Sequence, residues 1–176
     1  MNIADIETSD ILEFHLPRWD ELPEIELYMD QVVATLEKKL EIFAQTDDQK
    51  IITSTMINNY VKQKVVKPPV KKRYGRLQIS YLFVVCILKR VMNISDICES
   101  IEVMLKEYHS YQIYDIFCDE LENALHAVFA GRAKSSTADE NTPLEIVAIR
   151  AAVTAVANLM LANRIVRLKK ETNENE

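Results

Sequence analysis

Residues 50–92 have the sequence KIITSTMINNYVKQKVVKPPVKKRYGRLQISYLFVVCILKRVM, and they are the most informative part of the 176-residue chain. Ten of these residues are Lys or Arg and none is Asp or Glu, so the block carries +10 in a chain of net charge −6. The residues outside the block therefore carry −16. A basic block within an acidic protein points to a polyanionic partner, and a solvated basic loop without function is the alternative.

A short helix is predicted at about residues 54–63. Its start is indicated by Thr-Ser-Thr at 53–55, whose hydroxyls accept hydrogen bonds from the first free helix N–H groups. Four apolar residues recur at helical spacing: Met56, Ile57, Tyr60 and Val61. The opposite face carries amides, hydroxyls and a lysine without an acid: Thr55, Asn58, Asn59, Lys62 and Gln63. Such side chains suit phosphates and base edges.

A basic turn follows at about residues 64–76. Pro68 and Pro69 end the helix, and Gly75, one of only two glycines, favours a tight turn. The turn contains six Lys or Arg residues: Lys64, Lys67, Lys71, Lys72, Arg73 and Arg76. An apolar helix is then predicted at 77–92. Asn93, with Asp96 as the N3 carboxylate, predicts a further helix from about Ile94.

This order of elements resembles the winged helix-turn-helix of the mercury-resistance-regulator (MerR) superfamily. Residues 56–62 stand where those proteins carry the recognition-helix motif. The Lys-Pro-Pro at 67–69 and Lys-Arg-Tyr at 72–74 resemble the wing and its closing tyrosine, and 93–97 resembles the start of the next helix. With Pro-Arg-Trp at 17–19 included, the block is more similar still to a bacterial family of unknown function with a MerR-like domain.

The resemblance covers roughly residues 15–105, and it implies a transcriptional regulator that binds double-stranded DNA. Base contacts would fall to Thr55, Asn58 and Asn59, with help from Lys62. The complete set of expected DNA-contacting residues is Thr55, Asn58, Asn59, Lys62, Lys64, Lys67, Lys71, Lys72, Arg73, Tyr74 and Arg76. A helical protein-interaction module that keeps this shape without binding DNA is the alternative function.

The expected fold is all-α, a helical bundle with at most a small strand pair around Val66 and Arg73, because the long apolar patterns have period 3.6. We predict an arm at 1–23, a helix-turn-helix domain at 24–106, a C-terminal helical region at 107–170 and a polar tail at 171–176. The predicted helices outside the basic block span 24–44, 95–106, 108–130 and 142–170, with a polar linker at 133–141.

The helix predicted up to Lys170 is apolar on all sides in its middle, from Ile146 to Leu161. Such a helix lies in a core, in a subunit interface or in a membrane. The apolar run is near the lower limit for a membrane span, and Arg150 inside it would cost about 2.5–3.5 kcal/mol at the centre of a bilayer. We therefore expect no membrane association, and a homodimer with residues 151–161 in the interface or the core.

No catalytic motif is found, and we expect no enzymatic activity, no cofactor and no metal. The carboxylates at 115–122 are interpreted as a solvated helix face rather than a metal site. Cys86, Cys98 and Cys118 stand in apolar settings without a CxxC spacing, which favours reduced thiols in a cytoplasmic protein.

Overall fold

The structure is a computed structural model that describes residues 8–44, 50–130 and 141–174. These residues form seven α-helices and a single two-stranded antiparallel sheet. The chain is therefore mostly helical, as the apolar periodicity predicts. Most of the linker predicted at 133–141 lies outside the described residues.

The elements in chain order are α1 (Ser9–Leu12), β1 (Leu27–Tyr28), α2 (Met29–Lys39), α3 (Ser54–Lys62), β2 (Arg73–Tyr74), α4 (Arg76–Leu88), α5 (Ile94–Met104), α6 (Ser110–Phe129) and α7 (Leu144–Glu174). The chain divides into two compact units, Leu16–Asp119 and the pair of segments Met1–His15 and Glu120–Glu176. The boundary lies within α6, so the first unit is longer at both ends than the domain predicted at 24–106. The whole basic block belongs to this first unit.

The central helix of the first unit is α4. Its residues are apolar around most of the circumference, and nine are buried: Ile79, Ser80, Leu82, Phe83, Val84, Val85, Cys86, Ile87 and Leu88. Full burial of one Leu, Ile or Phe favours folding by about 1.5–3 kcal/mol relative to exposure. The helix ends at Leu88, earlier than the predicted residue 92, and Lys89 and Arg90 follow it.

Two helix starts are fixed by the caps that the sequence indicates. The Thr53 hydroxyl accepts a hydrogen bond from the Met56 N–H at 3.2 Å, and α3 begins at the next residue. The Asn93 side chain accepts from the Asp96 N–H at 3.0 Å, which starts α5 at Ile94 as predicted. Each cap satisfies one of the N–H groups that the first turn of a helix leaves free.

The helix predicted at 24–44 is wrong at both ends. Residues 27–28 form β1, α2 begins at Met29, and α2 gives way after Lys39 to a 3-10 turn at Glu41–Phe43. A helix over 24–44 would place Ile25 and Tyr28 on its apolar face, but these residues are 73% and 46% exposed. The Glu-Ile-Glu-Leu sequence of 24–27 alternates polar and apolar residues, which is the period of a strand.

The small sheet was predicted with the wrong partner. Its register pairs Leu27 with Tyr74 and Tyr28 with Arg73, whereas the sequence suggested Val66 opposite Arg73. The backbone groups of the strand at 73–74 thus form their hydrogen bonds with the segment that precedes α2. This pairing fixes the basic turn to the start of α2.

In the second unit, α7 buries only one stripe of its apolar surface. Val153, Val156, Ala157 and Met160 are buried, and they recur at the spacing of one helix face. Arg150 donates two hydrogen bonds, of 2.8 and 2.7 Å, to the Glu120 carboxylate. The predicted helix end at about Lys170 is close to the observed end at Glu174.

Candidate nucleic-acid interface

One face of α3 is exposed and carries polar or basic side chains. Four predicted contact residues stand three and four positions apart, and they therefore share this face: Thr55, Asn58, Asn59 and Lys62. Within the part of the chain that the structure describes, none of these side chains has a hydrogen bond or ion pair. On the opposite face, Ile57 is fully buried and Tyr60 is 5% exposed. The helix therefore presents free donors and acceptors on a well-anchored backbone.

The segment before α3 is held by two charged side chains from other helices. One carboxylate oxygen of Glu37, in α2, accepts hydrogen bonds from the backbone N–H groups of Ile51 and Ile52, both at 2.8 Å. The Lys89 ammonium, just after α4, donates to the Ile51 carbonyl at 3.2 Å and to the Tyr60 hydroxyl at 3.3 Å. These contacts set the position of α3 relative to α2 and α4.

The end of α3 places Lys64 in a left-handed backbone conformation. The Lys64 N–H donates to the Val61 carbonyl at 3.1 Å, and the Val65 N–H donates to the Tyr60 carbonyl at 2.9 Å. These two bonds define a Schellman motif, in which the residue at the Lys64 position is usually glycine. Lys64 has φ of 61°, and its side chain is exposed.

The basic turn closes as a tight hairpin with two lysines at its tip. Val70 and Arg73 exchange two backbone hydrogen bonds, of 3.0 and 2.9 Å. Lys71 and Lys72 between them have φ of 49° and 64°. Two consecutive positive φ values are characteristic of a type I′ turn, which favours Asn-Gly. The turn projects both lysine side chains into solvent.

Arg73 is oriented by a tyrosine that the sequence analysis did not select. Its guanidinium lies 5.0 Å from the centroid of the Tyr28 ring and donates to the Tyr28 hydroxyl at 3.0 Å. This hydrogen bond raises the pKa of Arg73 further above its usual value. Val70, 61% exposed, pairs with Arg73 on the other side. Since directly paired residues share a face of a sheet, Tyr28, Arg73 and Val70 form one exposed row.

Two of the predicted contact residues have other roles. Tyr74 is 1% exposed and is a core residue, because it lies on the face of the sheet opposite to Arg73; its prediction as a DNA contact is wrong for this conformation. Arg76 donates from Nε to the Leu22 carbonyl at 3.2 Å, and its Nη2 lies 3.7 Å from the Glu24 carboxylate. Arg76 is thus half-buried and already partly neutralised.

The other cations of the basic block are also engaged within the unit. Lys50 lies 3.8 Å from the Glu37 carboxylate, and Arg90 donates to the Phe43 carbonyl and lies over the Phe43 ring. Burial lowers the pKa of both Lys89 and Arg90. Within the basic block, the exposed cations that have no ion pair to another described residue are Lys62, Lys64, Lys67, Lys71, Lys72 and Arg73. We call this set the 62–73 cluster.

The acidic residues of α6 and the cysteines offer no comparable site. Each carboxylate of α6 in this region has a partner. Asp115 accepts a hydrogen bond from the Trp19 N–H, and Asp119 forms a salt bridge with Arg18. Glu120 forms a salt bridge with Arg150, and Glu122 lies against His15. Cys86, Cys98 and Cys118 are free thiols, and burial raises the pKa of Cys86 to about 12. Among the described residues, no group of three His, Cys, Asp or Glu could hold a metal ion.

Among the described residues, the helix α7 is long and apolar enough over Leu144–Lys170 to cross a membrane, and 22% of its most apolar stretch is buried. A single helix of this kind is weak support for membrane insertion, because core helices of soluble proteins satisfy the same test.

The first compact unit is a helical domain that presents a basic hairpin beside a polar helix face. A family described as "Domain of unknown function (DUF1836)" matches residues 17–117, which nearly coincide with this unit. The chain belongs to this family. No curated protein and no solved structure matches the chain.

Proposed function

We propose that this chain is a DNA-binding protein, a transcriptional regulator, that contacts a duplex with the exposed face of α3 and with the 62–73 cluster. The observation that carries the proposal is the distribution of the cations in the basic block. Those before and after the cluster bind carboxylates, carbonyls and rings inside the unit, whereas no member of the cluster forms a salt bridge among the described residues.

The chemistry of the two surfaces suits different parts of a duplex. Lysine side chains at the end of α3 and on the hairpin supply point charges for phosphate oxygens, which give affinity without sequence preference. Asn58 and Asn59 are exposed at the middle of α3, and an Asn side chain can pair with adenine through two hydrogen bonds. Glu26, exposed next to β1, acts electrostatically on Arg73, so we expect a duplex to approach from the α3 side, where no acid is found on the exposed face.

The test is the salt dependence of binding to a random-sequence duplex, measured by fluorescence anisotropy. The variant Lys71→Ala with Lys72→Ala should bind more weakly, and the slope of log K against log salt should be flatter by about 1.8, since each lost phosphate contact accounts for about 0.9. The matched control is Lys38→Ala with Lys39→Ala, which removes the same charge from the exposed last turn of α2.

The control variant should bind like the wild type. If both variants lose the same duplex affinity, the loss reflects net charge alone, which would contradict a phosphate contact at the hairpin. Absence of duplex binding at 50 mM salt, with retained binding of an acidic protein partner, would support the protein-interaction alternative.

We also propose that the chain forms a homodimer through the exposed face of α7. One exposed stripe of this helix consists of Leu144, Ala148, Ala151, Ala155, Asn158, Ala162 and Val166. Their spacing of three or four residues forms a continuous seam, and none of them is charged. Leu144 and Val166 are 80% and 54% exposed.

The order of residues along this seam favours an antiparallel second copy. Ala155 stands eleven residues from both Leu144 and Val166, so a two-fold axis at Ala155 would pair the large ends with each other and alanine with alanine. An antiparallel arrangement also brings the Glu145 end of one helix near the Lys169 end of the other. A parallel one would place Lys169 against its own copy. The seam is therefore self-complementary in both size and charge.

A further inference from the structure

Three residues of the described chain combine a non-glycine side chain with positive φ, and all three are lysines: Lys64, Lys71 and Lys72. Lysine accounts for 13 of the 176 residues, so composition alone does not explain this coincidence. In the left-handed region the Cβ of an L residue crowds the adjacent carbonyl oxygen, which is why glycine or asparagine usually occupies such positions.

The fold gives no reason for lysine at these three positions. The Schellman motif at Lys64 favours glycine, and the turn at 71–72 favours Asn-Gly. All three side chains are exposed, and within the described residues none of them makes a hydrogen bond or an ion pair. The conformation is therefore imposed by the backbone hydrogen bonds of Val61, Val65, Val70 and Arg73, without help from the lysine side chains.

We infer that Lys64, Lys71 and Lys72 are phosphate-binding residues held in strained backbone conformations, so that this protein loses folding stability in order to place three ammonium groups on the duplex backbone. The inference rests on the proposed function and identifies the lysines of the 62–73 cluster whose backbone conformation costs folding stability. Strained conformations persist at binding sites where the surrounding structure enforces them.

The geometry accounts for the choice of these positions. A left-handed residue reverses the chain direction, so its side chain projects from the outside of a turn and away from the packed core. Lys64 does so at the end of α3, and Lys71 and Lys72 do so at the tip of the hairpin. Val65 and Val66, 6% and 1% exposed, anchor the segment that follows Lys64. The three ammonium groups thus extend from turns that are closed by backbone hydrogen bonds.

The experiment measures stability and binding on the same variants of the full chain. Lys64→Gly, and Lys71→Asn combined with Lys72→Gly, relieve the strain and remove the charge. We expect the Tm to rise by about 2–4 °C for each relieved residue. We expect the salt slope for a random-sequence duplex to flatten by about 0.9 for each lysine removed.

Two controls separate strain from charge. Lys62→Ala removes a charge from the right-handed backbone of α3, so it should weaken binding without raising the Tm. Lys71→Arg with Lys72→Arg keeps both charge and strain, so it should retain the wild-type Tm and salt slope. The inference is overturned if the glycine variants do not gain stability, or if they gain it and bind with an unchanged slope. A wild-type chain that does not bind the duplex at all overturns the proposed function as well, whereas failure of the glycine variants alone leaves DNA binding in place.

Discussion

Glu37 and Ile51 are joined by a hydrogen bond of 2.8 Å from the Ile51 backbone N–H to the Glu37 carboxylate, and the same oxygen accepts the next N–H at 2.8 Å. This carboxylate therefore fixes the segment before α3 to α2. Lys89 holds the carbonyl of the same Ile51 from the end of α4. The position of the exposed face of α3 depends on these two side chains.

Replacement of Glu37 by Ala should destabilise the first unit. Two buried backbone N–H groups would lose a charged acceptor, at a cost of about 2 kcal/mol. The Tm should fall by about 4–8 °C in thermal unfolding followed by circular dichroism. Glu41→Ala, which removes an exposed acid two positions after α2, is the control and should change the Tm little. A Glu37→Ala variant as stable as the wild type would show that water replaces the carboxylate without loss.

Replacement of Tyr28 should weaken duplex binding through Arg73. Tyr28→Phe removes the hydroxyl that accepts from Arg73 but keeps the ring, whereas Tyr28→Ala removes both. Because an exposed cation–π contact is worth about 0.5–1 kcal/mol, Tyr28→Ala should raise the Kd by about two- to fivefold, and Tyr28→Phe should raise it less. An unchanged Kd for Tyr28→Ala in the anisotropy assay would exclude a role for the orientation of Arg73.

Asn58 and Asn59 should carry the sequence preference. Selection of bound duplexes from a random pool by the wild type should yield a preferred sequence, and Asn58→Ala or Asn59→Ala should relax it by about 1–3 kcal/mol at one base pair. Gln63→Ala changes an exposed amide at the C-cap of α3 and serves as the matched control. If both Asn variants select the wild-type sequence equally well, these amides face solvent and have no role in base recognition.

Ala155→Glu should dissociate the proposed dimer without unfolding the chain. Ala155 is exposed in one chain, so a carboxylate there meets only solvent unless a second copy covers it. Light scattering should give twice the chain mass of 20.3 kDa for the wild type at micromolar concentration and the single mass for the variant. Ala34→Glu, at an exposed alanine of α2, should leave the mass unchanged. A wild-type mass near 20.3 kDa would exclude a stable dimer.

The sequence predicts α3, α5 and α7 well, and also the start of α4, because caps, prolines and apolar runs are local signals. Thr53, Asn93 and the prolines after α3 each act within a few residues along the chain. It does not predict the partner of the strand at 73–74, because the pairing of Tyr28 with Arg73 is a contact between distant segments. The alternation at 24–27 is a local strand signal, but Ile25 and Tyr28 also fit the apolar period of a helix that continues into α2.

In the candidate site, too, features that depend on local signals are predicted from the sequence, and features that depend on distant contacts are not. The exposed positions on α3 follow from helical periodicity, so Thr55, Asn58, Asn59 and Lys62 could be chosen from sequence. Tyr74 and Arg76 could not be excluded, because their burial and partners depend on the sheet and on the segment that contains Leu22. The left-handed lysines were equally inaccessible, since no residue at 64, 71 or 72 is a glycine that would indicate positive φ.

The most direct test of the central claim is a titration of a random-sequence duplex with the wild-type chain at several salt concentrations between 50 and 200 mM. If the cations of the 62–73 cluster all contact phosphates, log K should fall with log salt with a slope of about −5, from about 0.9 for each contact. A slope near zero, or no binding at 50 mM salt, would contradict DNA binding by this surface.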